Sequence, residues 1–271
     1  MRFWLALLAA LAIAAPGSAV AELDFEGNVI GSSPETWDTP GDPCGQCSAP
    51  YSIKGVDFKG NDLWGITSAG LLYHFVNCNV VETVQTQVPA STFGLGYDST
   101  RNLWVITSPA TDRVYQVDLA GAVVNSWATP GLGPVGAAYD QSRDLYWMSD
   151  FSTNQIYSLS PVTGLPGPAF AAPAGTRLAG TGYNRGGDIL FYHGRDQATS
   201  YCISAATGQL LYFFPVPFGG GNNGQGAGCD PVTGNGWLSH FEQPYLYCVE
   251  SCGGATPVEP STWGVIKSLY D

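Results

Sequence analysis

His193 and His240 are two of only three histidines in 271 residues. Each closes a short apolar run, Ile189-Leu190-Phe191-Tyr192 before the first and Trp237-Leu238-Ser239 before the second. Charge follows closely, Arg195 and Asp196 after one and Glu242 after the other. Neutral imidazole is a common ligand for transition metals, and Asp150 or Glu242 could complete a shell with His193 and His240. Alternatively either histidine could act as a general base near neutral pH. The plainer role for both is to cap strand ends by bonding to loop backbone. His74, within Leu71-Leu72-Tyr73-His74-Phe75, reads as a strand residue.

Seven cysteines give a second chemistry: Cys44, Cys47, Cys78, Cys202, Cys229, Cys248 and Cys252. In an oxidising compartment they are disulfide candidates, and an odd number leaves at least one thiol unpaired or paired between chains. Cys44-Gly45-Gln46-Cys47 has redox spacing, but it lies among Gly and Pro with no helix after it. A zinc knuckle would need Cys248 and Cys252 as its second pair. Structural disulfides are the expectation.

The compartment follows from the N-terminus. Arg2 precedes an apolar run over residues 3–15, Pro16-Gly17 breaks it, and Ala19-Val20-Ala21 has the A-x-A form of a cleavage site. Residues 1–21 are therefore expected to be a signal peptide, and the protein to be secreted, periplasmic or on the cell surface. Thirteen apolar residues are too few to span a bilayer. The formal net charge is −12, and no Lys occurs between Lys59 and Lys267, which argues against a nucleic-acid partner.

Composition narrows the scaffold. Gly and Pro number 35 and 19, and charged residues are 12%, fewer than the 13% aromatics, which excludes long solvated helices. Hydrophobic residues at 45% exclude disorder. A phrase G-x-x-aromatic-D/N recurs at Gly94, Gly136 and Gly180, with degenerate copies at Gly55 and Gly226, at spacings of 39, 42, 44 and 46 residues. Tyr115, Tyr157, Tyr201 and Tyr247 each lie 21 residues after a repeat Gly, and Tyr73 lies 18 after Gly55. Each unit reads as four short antiparallel strands with Gly-bearing turns, the period of a propeller blade. The fold class is all-β: a β-propeller of four-stranded blades, five expected, six if the tail from residue 261 adds a strand. The segment at residues 23–30 parallels Val117 to Val124, so an N-terminal strand is expected to close the last blade. The propeller then spans residues 22–254, with a linker and tail over 255–271.

The third unit carries Tyr146, Trp147, Ser149 and Asp150, with Met148 before the Ser-Asp pair, and Leu103-Trp104-Val105-Ile106-Thr107-Ser108 is a looser version. This resembles a YWTD blade of the lipoprotein-receptor type and also an NHL repeat. The resemblance implies a propeller, usually of six blades, in families that include binding ectodomains, lactonases and lyases.

In such a ring the loops between the second and third strands share one face with the inter-blade loops. Equivalent places there hold Thr67-Ser68, Thr107-Ser108, Ser149-Asp150, His193 and His240. The ligand face is thus expected to include Thr107, Ser149, Asp150, Arg195 and the Gly-rich loop with Asn222 and Asn223. Asp98, Asp140, Asn184 and Asp230 are expected to bond their own turns. The repeated Tyr and Trp could form a carbohydrate platform, though inter-blade core is the plainer role. No P-loop, H-E-x-x-H or G-x-S-x-G motif occurs. The leading expectation is an exported monomer binding a protein or carbohydrate ligand on its loop face. The alternatives are a lactonase- or lyase-type enzyme, assisted by a divalent metal at His193 and His240, and a structural cell-surface module.

Overall fold

The computed structural model describes residues 21–23, 29–32, 43–89, 91–172, 177–195, 199–216 and 224–250. Every regular element among them is a β-strand. Five four-stranded antiparallel sheets form the blades of a propeller. From the axis outward the first blade holds Ile53–Lys59, Asp62–Thr67, Leu71–Val76 and Asn79–Gln85. The second holds Leu95–Asp98, Leu103–Ser108, Arg113–Val117 and Val123–Ala128. The third holds Ala138–Asp140, Leu145–Asp150, Gln155–Leu159 and Pro166–Ala171, and the fourth Leu178–Asn184, Ile189–Gly194, Thr199–Ser204 and Leu210–Pro215. The fifth takes Gly224–Cys229, Gly236–His240 and Tyr245–Val249 from one end of the chain and Pro43–Ser48 from the other.

The repeat phrase explains the ring. Its five glycines meet at the axis, where neighbouring innermost strands touch from blade to blade and the fifth meets the first. A Cβ on Gly94 would come within 2.5 Å of the Gly136 carbonyl carbon, and one on Gly226 within 2.9 Å of Gly55 Cα. A side chain here would force the ring apart. The aspartates of the phrase cap the next turn, as expected. Asp98 Oδ1 accepts from Thr100 N and Arg101 N at 3.0 and 2.9 Å, and Asp140 Oδ1 from Ser142 N and Arg143 N at 2.9 and 3.1 Å. Those two turns, and the matching turn after Asn184, end in left-handed residues, Asn102, Asp144 and Asp188, types whose short polar side chains tolerate positive φ. Large apolar side chains of the second and third strands fill the space between blades. Trp64, Ile66 and Leu72 pack against Leu95, Trp104 and Ile106, for example. Each such burial stabilises by about 1.5–3 kcal/mol.

The closing strand is not the one expected. Within the segment over 23–30, Leu23 and residues 29–30 do not join the fifth blade. Ala21–Leu23 and Val29–Ser32 pair with each other as a separate two-stranded hairpin, in a unit spanning residues 1–39. The likeness to the segment around Val117 has a local cause. Val117 pairs with Val123, and Leu23 pairs antiparallel with Val29 at the same separation of six residues, so the shared phrase encodes local strand pairing and not a blade position. Pro43–Ser48 closes the ring instead, and it carries the C-x-x-C pair. Cys44 is bonded to Cys248 on the adjoining strand, and Cys47 to Cys78 on the first blade's outer hairpin. Cys202 is disulfide-bonded too, and Cys229 is a buried free thiol. The expected signal peptide up to Val20, Cys252 and the expected tail over 255–271 lie outside the described residues. No helix of the structure is long and apolar enough to cross a membrane, among the described residues.

Candidate functional site on the loop face

Strand register defines equivalent places around the ring. Gly55 pairs with Ile66, Gly94 N donates to Thr107 Oγ1 at 2.8 Å, and Gly226 N donates to Ser239 Oγ at 2.7 Å. Ile66, Thr107, Ser149, His193 and Ser239 therefore share one position, and Thr67, Ser108, Asp150, Gly194 and His240 share the next. His193 and His240 are not equivalent, as the spacing had suggested. They sit one residue out of step: His193 lies 13 residues after Gly180, whereas His240 lies 14 residues after Gly226. Thr107, Ser149 and Ser239 are buried and spend their hydroxyls on innermost-strand backbone.

His240 takes the place that Asp150 takes in the third blade, and does the same work. Asp150 Oδ1 accepts from Ser152 N and Thr153 N, both at 2.8 Å. His240 Nδ1 accepts from Glu242 N and Gln243 N at 3.2 and 3.1 Å. The imidazole replaces a carboxylate as the cap of the turn, which places the proton of its neutral form on Nε2. His193 Nδ1 lies 3.2 Å from Ser200 Oγ on the neighbouring strand. Burial, with the His240 charge adding to it, depresses His193 to about 3. Among the described residues no three His, Cys, Asp or Glu side chains come together in a way that could hold a metal ion. Asn222, Asn223 and Asp196 lie outside the described residues.

One residue further on, the repeat places Ser68, Pro109, Phe151, Arg195 and Phe241 around the mouth of the ring. The last three form a cluster. The Arg195 guanidinium carbon is 4.5 Å from the Phe151 ring centre and 5.6 Å from that of Phe241. Arg177 approaches the Phe151 ring at 5.2 Å, and Arg177 O accepts from Arg195 N at 2.7 Å. Lys54 arrives from the residue before Gly55, a place that holds Phe93, Val135, Ala179 and Gln225 in the other blades. Its Nζ stands 3.7 Å above the Phe241 ring and donates to Phe241 O at 2.8 Å and to Ser52 Oγ at 3.1 Å. Burial lowers the Lys54 ammonium to about 8, and Arg195 lowers it further while Glu242 opposes. No carboxylate lies within 4.0 Å of Lys54 or Arg195 among the described residues, whereas Arg101 and Arg143 each bind two. Beside Arg195 and Phe151 opens a depression of about 380 Å³, also lined by Phe93, Pro109, Asp112 and Leu132. Of this cluster the sequence reading reached Arg195 alone. The signal for the rest is the residue type at one repeat position, read around the whole ring.

Comparison with known structures agrees with this architecture. A glutaminyl cyclase from Myxococcus xanthus superposes with a TM-score of 0.63 over 76% of this chain and 94% of its own, at 12% identity. The WD40 propeller domain of Doa1 does so at 0.51, over 73% and 63%, with 11% identity. Virginiamycin B lyase from Staphylococcus aureus gives 0.49 over 73% and 66%, at 13% identity. The property shared with the first two is the β-propeller fold. No protein-family model matches the chain, and no curated protein matches it in sequence. At these identities the neighbours' activities stay with the neighbours, and the propeller's loop face is left to speak for itself.

Proposed function

We propose that this protein is an exported binding module whose loop face receives a carboxylate-bearing protein or carbohydrate ligand. One observation carries the reading: Lys54 and Arg195 stand over aromatic rings at the mouth of the ring without a carboxylate partner among the described residues. The full chain has only ten Lys and Arg against 22 acidic residues, so leaving cations unpaired on one face is a departure that calls for an anion. Arg195 offers a planar fork of donors suited to a carboxylate, and Lys54 keeps one N–H beyond the two it spends on Ser52 and Phe241. Phe151 and Phe241 supply apolar contact around that charge. The YWTD-like third blade, which provides Phe151 just after Asp150, is consistent with a binding ectodomain. The signal-like N-terminus and the disulfides support export.

The test is a glycan and peptide array with acidic and neutral members, probed with the wild type and with Arg195→Ala and Lys54→Met. Acidic members should bind and lose roughly tenfold or more in affinity in each variant, since charged hydrogen bonds contribute about 1.5–3 kcal/mol. Binding indifferent to both substitutions, or confined to neutral members, would refute the reading.

A further inference from the structure

The repeat phrase marks a second place by its own exceptions. At its third position four blades carry Gly96, Ala138, Gly182 and Gly228. A Cβ on Gly182 would meet Gly228 Cα at 2.9 Å, and one on Gly228 would meet Val56 O at 2.6 Å, so the position is built for little or no side chain. The first blade has Asp57 there. At the fourth position the blades carry Phe58, Tyr97, Tyr139 and Tyr183, but the fifth carries Cys229. The two exceptions are neighbours, because the first and fifth innermost strands adjoin. A Cβ on Gly228, the residue before Cys229, would lie 3.0 Å from Asp57 Cα. Both exceptions line one cavity of about 140 Å³ at the end of the axis opposite the loop face, together with Phe58, Tyr97, Tyr139, Tyr183 and Arg185. A thiol where its counterparts have an aromatic ring leaves room, and a carboxylate where they have hydrogen or a methyl group gives that room a charge.

We propose that this cavity binds a small organic ammonium ion, with the Asp57 carboxylate as its counter-ion and the rings of Phe58, Tyr97, Tyr139 and Tyr183 as its walls. Asp57 Oδ2 accepts from Tyr97 N at 2.6 Å, and no cation lies within 4.0 Å of it among the described residues. Burial raises its carboxyl to about 7, against the backbone N–H groups of Phe58 and Tyr97 and the more distant Arg185. A buried carboxylate is costly alone and favourable beside a cation. Aromatic faces attract ammonium groups most strongly where water is excluded. At roughly 30 Å³ per water-sized group the cavity holds about four or five heavy atoms, the size of a methylated ammonium. Beside Asp57, the charged or titratable groups that line the site are Arg185, Cys229 and the phenols of Tyr97, Tyr139 and Tyr183, while Asp230 acts on Cys229 from outside the lining. Arg185 is the opponent among them. Its guanidinium is held at the rim by a 2.7 Å bond to Ser99 Oγ of the second blade, two blades away.

That arrangement gives the site a signature of opposite signs. Calorimetric titration of the protein with tetramethylammonium chloride at pH 8, against matched sodium chloride, should show saturable one-to-one binding. Asp57→Asn, close to isosteric, should weaken it roughly tenfold or more. Arg185→Gln should tighten it by about threefold to tenfold by removing a like charge. Cys229→Tyr restores the repeat residue and should abolish binding by filling the cavity. Should Asp57→Asn fail to fold, the remaining two variants carry the test. The proposal falls if the wild type shows no saturable heat beyond the sodium control, or if binding survives unchanged in Cys229→Tyr or is not tightened in Arg185→Gln.

Discussion

Two side chains, the buried His193 and the half-buried Asp57, change stability in opposite directions with pH. His193 is held at about 3 in the fold and returns to 6.5 in the unfolded chain. The unfolded state therefore binds a proton that the folded state refuses, and stability falls as pH drops from 6.5 toward 3. Asp57 is held at about 7 and returns to 3.8, so its folded form keeps a proton that the unfolded chain releases. Its contribution is present below 3.8 and is lost as pH rises through 7. Each slope reaches about 1.4 kcal/mol per pH unit, and between about 4 and 6.5 they oppose. Asp140, Asp144 and Asp188 are held below 3.8 and act under that window. Asp57→Asn should therefore become less stable as pH falls from 6.5 to 4.5, and His193→Gln more stable, each relative to the wild type, by urea denaturation at three pH values. Parallel curves for all three proteins would show that these groups do not titrate as assigned. His193 was legible in the sequence as a chemical candidate because histidine is rare here. Asp57 was not, since an aspartate among 22 acidic residues stands out only against the glycines at its repeat position.

Turns join these residues into a scaffold, and the turn between the first and second strands is the best-defined element. Arg101 binds Asp98 of its own turn at 2.9 Å and Asp144 of the next blade at 2.6 Å. Arg143 repeats this one blade on, with Asp140 at 2.8 Å and Asp188 at 2.5 Å. Asp140 is fully buried, so Arg143→Ala strands its carboxylate and should cost about 2–4 kcal/mol by urea denaturation. Asp188 is 42% exposed, and Asp188→Asn should cost about 1 kcal/mol or less because water screens that half of the bridge. Equal losses for the two would deny the burial argument. These turns were legible because Asx capping and left-handed Asn, Asp or Gly are local chemistry, written within five residues. The phrase at residues 23–30 was misplaced for the same reason, its described ends pairing locally as Leu23 with Val29. It dictates local pairing, and nothing local says which sheet that pairing will serve.

Closure belongs to the whole molecule, and there local phrases give least guidance. Pro43–Ser48 reaches the fifth blade at a sequence separation of 204 between Cys44 and its partner Cys248. Ring counting required a strand from the N-terminus to complete that blade, so the need for closure was readable while the strand was not. Pro43-Cys44-Gly45-Gln46-Cys47-Ser48 has neither the alternation nor the β-branched residues of a strand, and only Cys47 within it is buried. What holds so poor a strand is covalent. A bond closing a loop of this length removes chain entropy from the unfolded state worth about 5 kcal/mol, less whatever Cys47–Cys78 already removes. Cys44→Ser with Cys248→Ser should therefore lower the melting temperature by about 10 °C in a domain of this size. The manner of the loss is the sharper test. Without the bond, Pro43–Ser48 should peel away first and expose the edge of Tyr245–Val249, whose amides would lose protection before those of the second and third blades. Uniform loss of protection around the ring would mean instead that the five blades open as one unit and that closure is shared by every interface between them.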